Sequence, residues 1–84
     1  MCADAPDEIK ERAERYLNKA KPLFENLTLT VDTEDGRKFY EMAMNYYNDA
    51  IYFYNNGNFI GAIIALEYAE GWMDAGKFMN FFCL

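Results

Sequence analysis

The residues best placed to do chemistry are carboxylates on one helical face. Glu67, Glu70 and Asp74 stand at i, i+3 and i+7, a spacing that stacks side chains along one side of an α-helix. Asp49, on the preceding helical segment, is a further candidate. Clustered carboxylates hold Ca²⁺, Mg²⁺ or Mn²⁺ through oxygen ligands. The same residues also read as the solvated strip that any bundle helix needs. Helix-borne di-metal sites add a histidine in Glu-x-x-His, and this chain has no His. A carboxylate acid/base pair needs a cleft that separates two pKa values, and the sequence shows none. Asp74 equally suits a structural role, capping backbone near Gly76 or meeting a tyrosine hydroxyl. No metal or cofactor is expected, and Asp49, Glu67, Glu70 and Asp74 are the residues that would hold one.

Nucleophiles are scarce. Cys2 becomes an N-terminal thiol if Met1 is removed, but no base accompanies it. Cys2 and Cys83 are the only cysteines, one near each end. Two cysteines make no disulfide framework, so both read as free thiols of a reducing cytosol. Cys83 is second from the end, which does not fit a prenylation box. The first residues are polar and acidic, unlike a signal peptide. No apolar run approaches the ~20 residues of a bilayer span. With no nucleophile–base set and no phosphate loop, the chain is expected to be non-enzymatic and cytoplasmic.

Charge narrows the partners. The net charge is −6 and the pI about 4.4. Five of the eight basic residues fall between Lys10 and Lys21, interleaved with Glu11 and Glu14, so no basic patch forms. Between Lys38 and Lys77 there is no basic residue. Nucleic-acid binders draw their affinity from Lys and Arg on phosphates, so neither nucleic acid nor an anionic membrane is expected.

Aromatic residues carry the remaining signal. There are seven Tyr and seven Phe in 84 residues. Of the neighbours Tyr46 and Tyr47, one should face the core and one solvent. Tyrosine suits interfaces because it joins apolar area to a polar tip. Phe78, Phe81, Phe82 and Leu84 end the chain on an apolar note. They either mark an interaction surface or cap the open end of the fold. Tyr47, Tyr52, Phe78, Phe81 and Phe82 are the candidate interaction residues.

The elements that position these groups follow from periodicity. At 52% hydrophobic and 18% aromatic, the chain supports one dense domain over residues 1–84, with 1–5 a flexible arm. Asp4 and Pro6 open a first helix, expected over 6–27, with Ile9, Ala13, Tyr16, Leu17, Ala20, Phe24 and Leu27 on one face. Pro22 lies inside this pattern and should kink it. Thr28 to Asp35 reads as a connector, its Thr28-Leu29-Thr30-Val31 run too short and isolated for a sheet. Asp32 or Thr33 caps a second helix over 33–56, which Gly57 ends in a left-handed cap. Asn58 caps a third over 59–82, so widely apolar that it must contact two neighbours. Gly61, Ala65 and Ala69 form a small-residue line for close approach. Three helices of about 35 Å, joined by short connectors, give an all-α, antiparallel, up-down-up three-helix bundle.

Tyr46-Tyr47-Asn48-Asp49-Ala50, the turn Asn56-Gly57-Asn58-Phe59 and the run Ala69-Glu70-Gly71-Trp72-Met73-Asp74-Ala75-Gly76 resemble an archaeal family known as domain of unknown function 357. The Gly71–Gly76 run after a helical hairpin is the specific part. The resemblance implies a compact helical bundle in an archaeal cytoplasm and brings no activity or site residue with it. The hairpin is also similar to a tetratricopeptide unit, but no 34-residue repeat is present.

These readings lead to a small bundle that works by binding another protein, or itself as a homodimer. The reading from a different class is divalent-metal or small-ligand binding through the third-helix carboxylates.

Overall fold

The structure, a computed structural model, describes residues 6–83. The arm expected at residues 1–5 lies outside them, as do Cys2 and Leu84. The elements run α1 (Pro6–Glu25), β1 (Thr28–Leu29), α2 (Glu34–Asn55), α3 (Phe59–Phe78) and β2 (Phe82–Cys83). The expected all-α three-helix bundle is the architecture. α2 and α3 form the tightest pair, and α1 lies more lightly across both.

Local chemistry sets most helix ends. The Thr33 hydroxyl accepts the Gly36 N–H at 3.0 Å, and the Asn58 side chain accepts the Gly61 N–H at 2.9 Å. Each fills one of the donors that a helix start leaves unpaired. At the end of α2, Gly57 adopts φ +81°. The Asn58 N–H then reaches the Phe53 carbonyl at 2.8 Å, and the Gly57 N–H reaches Tyr54 at 3.0 Å. This is the Schellman arrangement, open to glycine because it has no Cβ. α1 passes through Pro22 and stops at Glu25, two residues short of the expected end.

The third helix departs from expectation. It stops at Phe78 rather than residue 82. Asn80 takes a left-handed conformation, φ 61°. A second Schellman arrangement follows, with the Phe81 N–H on the Gly76 carbonyl at 2.8 Å and the Asn80 N–H on Lys77 at 3.0 Å. Asparagine tolerates this region better than other non-glycine residues. The freed tail turns back and pairs antiparallel with the connector, Thr28 opposite Cys83 and Leu29 opposite Phe82. Thr30 extends the clasp, its N–H bonding the Phe81 carbonyl at 2.8 Å. Its hydroxyl donates to the carbonyls of Phe81 and Asn80. The Thr28–Val31 run, expected to stay unpaired, found its partner in residues read as helix.

The core is built on alanine. Among the described residues, seven of the thirteen buried apolar ones are Ala: Ala13, Ala20, Ala43, Ala50, Ala62, Ala65 and Ala69. Small side chains on facing helices let the backbones approach and leave little room between them for larger ones. Phe24, Leu66, Met73 and Phe82 supply most of the buried bulk. Larger residues on the flanks of α3 are pushed outward, and they define the surface described next.

Candidate functional site

α3 buries two of its three sides. Ala62, Ala65, Leu66, Ala69, Met73 and Gly76 face α1 and α2. On the third side Ile64 is 51% exposed, Tyr68 58% and Phe78 85%. With Gly71 and Ala75, also exposed, they fall at 64, 68, 71, 75 and 78. Steps of four and three alternate, the spacing of one seam of a coiled coil. No element among the described residues covers this seam.

α2 supplies the facing wall. Phe39 meets Trp72 edge to face, ring centres 5.0 Å apart, and Tyr46 stacks on Tyr68 at 5.3 Å. Such contacts hold aromatic rings in fixed orientations. On this side lies an open groove of ≈ 590 Å³, lined by Phe39 of α2 and by Ile64, Glu67, Tyr68, Gly71, Trp72 and Ala75 of α3. A Cβ on Gly71 would meet no atom within 4 Å, so no neighbour inside the fold requires glycine there. A second depression of ≈ 420 Å³ continues past Phe39 and Trp72 to Asp35, Glu41 and Met42. The groove is thus an apolar trough with carboxylates at its rim.

The residues expected to form an interaction surface divide. Tyr52 and Phe78 are exposed. Phe81 is half-buried, its ring edge-on to Phe39 at 5.1 Å. Tyr47 and Phe82, expected at the surface, are instead buried in the core and offer no interaction surface. Tyr47 lies in line with Ala43 and Ala50 and stacks on Phe24, centres 4.6 Å apart and planes 6° from parallel. Burial, and secondarily the Glu25 charge, raises its hydroxyl pKa above 10.0. Phe82 sits under α3 against Gly76 and edge-on to Tyr40. Of the two tyrosines, Tyr46 takes the outer position.

The carboxylates do not gather into a cation site. Among the described residues no group of three or more Asp, Glu or Cys side chains could hold a metal ion. Glu67 borders the groove, but Glu70 turns toward α1, lining a separate cleft with Tyr16, Lys19 and Leu23. Its pKa is raised by burial first, then by Asp74 and Glu67, with Lys19 opposing. Asp49 and Asp74 are exposed. The groove residues Ile64, Tyr68, Gly71 and Trp72 were not singled out as a site from sequence. Their signal was the alternating step of four and three along a helix read as apolar nearly all round.

No helix among the described residues is long and apolar enough to cross a membrane. No curated protein and no solved structure matches the chain. The family model described as protein of unknown function (DUF357) matches residues 28–82, which span β1, both helices of the hairpin and the first residue of β2. The match takes in the whole groove and leaves α1 outside, and by it the chain belongs to the DUF357 family.

Proposed function

We propose that the chain is a non-enzymatic docking module of the cytoplasm, which holds another protein in the groove between α2 and α3. One observation carries this reading: the uncovered seam of Ile64, Tyr68, Gly71, Ala75 and Phe78 beside the fixed rings of Phe39 and Trp72. Contiguous exposed apolar surface of this kind usually marks an interaction site. Aromatic residues clustered at the centre of a patch are what interface hot spots favour. The chain has no histidine, and the described residues present no nucleophile beside a base, which supports a role without catalysis. Its acidity supports a protein partner over nucleic acid.

The test is affinity purification of the tagged chain from its native host, in parallel with Ile64→Asp. That substitution adds a charge to the seam at an exposed position, so the fold should hold. The expected result is a stoichiometric protein with the wild type, absent with Ile64→Asp while the melting temperature stays within a few degrees. A chain that light scattering finds monomeric, and that retains no protein in either form, overturns the proposal.

A further inference from the structure

We infer that the occupant of the groove is a basic amphipathic helix of another protein, its apolar seam on Ile64, Tyr68, Gly71 and Ala75 and its Lys or Arg side chains over the carboxylate rim. This rests on the docking reading above and names the chemistry of the partner.

The geometry selects a helix. A seam with steps of four and three is one half of knobs-into-holes packing, and a second helix supplies the other half. Gly71 lies mid-seam, and an open glycine there lets a partner backbone come close. Within a helix it costs about 1 kcal/mol against Ala, with no packing need inside this fold.

Charge selects the sign of the partner. From Phe39 to Gly76, the stretch that supplies the groove, there is no basic residue, and of its five carboxylates all but Glu70, which turns toward α1, are exposed. If Tyr68 and Ala75 are a positions and Ile64, Gly71 and Phe78 are d positions, Glu67 and Asp74 are the flanking g positions. These are where interhelical charge sets partner choice. Across the groove Asp35 and Glu41 line the second depression with Met42. Lys38, also there, is 3.2 Å from Glu34. Trp72 lies between the two depressions, a position that suits a cation over its ring.

The same charges argue against a second copy. In an antiparallel pairing centred on Gly71, Glu67 of one copy falls beside Asp74 of the other. In a parallel pairing Glu67 and Asp74 meet Trp72 and Met79 of the other copy, and the carboxylates stay unpaired. Both would bring together two chains of net charge −6, and like charges across an interface are unfavourable.

The test uses a displayed library of 18-residue helices selected on the full chain. Their a and d positions are Leu, Ile or Ala, and every other position is drawn from Lys, Glu, Gln and Ala. Affinities are read from the fluorescence of Trp72, the only tryptophan. The expected winners carry Lys over Glu at flanking positions and bind tenfold or more weaker at 500 mM than at 50 mM salt, since screening removes the rim attraction. Gly71→Leu fills the trough and should lower affinity tenfold or more while the melting temperature holds or rises. Winners with neutral or acidic flanks that still need Gly71 overturn the basic partner and leave the docking reading standing. Winners indifferent to Gly71→Leu overturn the placement. A dimer in sedimentation that Gly71→Leu dissolves gives the face to a second copy and overturns a foreign partner. A monomer that selects no helix overturns both this inference and the docking reading.

Discussion

The ring of Phe82 lies against Gly76, so close that a Cβ on Gly76 would clash with the ring edge. Gly71, five residues earlier in the same helix, has no neighbour at the matching position. Two glycines of one short run therefore play opposite parts. Gly76→Ala must displace a buried ring that joins the strand clasp to the core. Overpacking of this kind costs about 1–3 kcal/mol, against about 1 kcal/mol recovered from helix propensity. Gly71→Ala recovers that propensity with nothing to displace. Thermal melts should fall for Gly76→Ala and rise by a few degrees for Gly71→Ala, at about 4–8 °C per kcal/mol for a domain of this size. Shifts of the same sign in both variants would show that this division of roles is wrong.

Tyr47 makes stability depend on alkaline pH. Its hydroxyl pKa is raised in the folded chain above 10.0, by burial against Phe24 and α1 and then by the Glu25 charge. The folded state therefore keeps a proton that the unfolded state loses first. The contribution is whole below pH 10 and falls as pH climbs from the unfolded pKa through the folded one. Denaturant unfolding between pH 9 and 11 should show a loss of stability that is smaller in Tyr47→Phe. An equal loss in the variant would assign the effect to other groups.

Glu70 works in the same sense at the acid end. Its raised pKa, from burial and then from Asp74 and Glu67, means the ionised form is disfavoured in the folded chain. Below pH 4.5 both states hold the proton and nothing is lost. Above it the unfolded state ionises first, and stability declines until the folded pKa is passed. Glu70→Gln should therefore melt higher than wild type at pH 7 and equal to it near pH 3.5. Millimolar Ca²⁺, Mg²⁺ or Mn²⁺ should leave the wild-type midpoint unchanged, because the carboxylates do not converge. A metal-dependent rise that Glu70→Gln abolishes would restore the cation site.

What sequence reading recovered was local. Thr33, Gly57 and Asn58 each act through bonds to residues at most five positions away, so their types alone placed helix boundaries. The end of α3 was hidden because Gly76, the obvious stop, spends its missing Cβ on Phe82 rather than on a positive φ. Asn80 takes the turn instead, and the strand it releases pairs with Thr28 and Leu29, about fifty residues earlier. Tyr47 could not be told from Tyr46 by type, since two adjacent tyrosines on a helix offer the core the same side chain. The buried line is Gly36, Ala43, Tyr47 and Ala50, and Phe39, Met42 and Tyr46 lie at its edge, half-buried. In a bundle that packs on alanine, small residues mark the contact line. The groove shared this obscurity: α3 is apolar nearly all round, and only the seat taken by α1 decides which third stays open.

That seat leads to the last prediction. The family match begins at residue 28, beyond α1, yet α1 supplies Ala13, Ala20 and Phe24 to the core. Without it Tyr47 loses its stacking partner, and the side of the hairpin opposite the groove lies bare. A fragment of residues 28–84 would then have two apolar faces and few buried large side chains, too little for a stable small domain. It should melt without a cooperative transition and bind 1-anilinonaphthalene-8-sulfonate strongly, as loosely packed helical states do. Adding a peptide of residues 6–27 should restore the transition and release the dye. Phe24→Ala in that peptide should fail to restore it, because removing a buried Phe costs about 3–5 kcal/mol. If the fragment instead melts cooperatively within a few degrees of the full chain, the matched hairpin is the folding unit and α1 is only a cover on one of its two apolar faces.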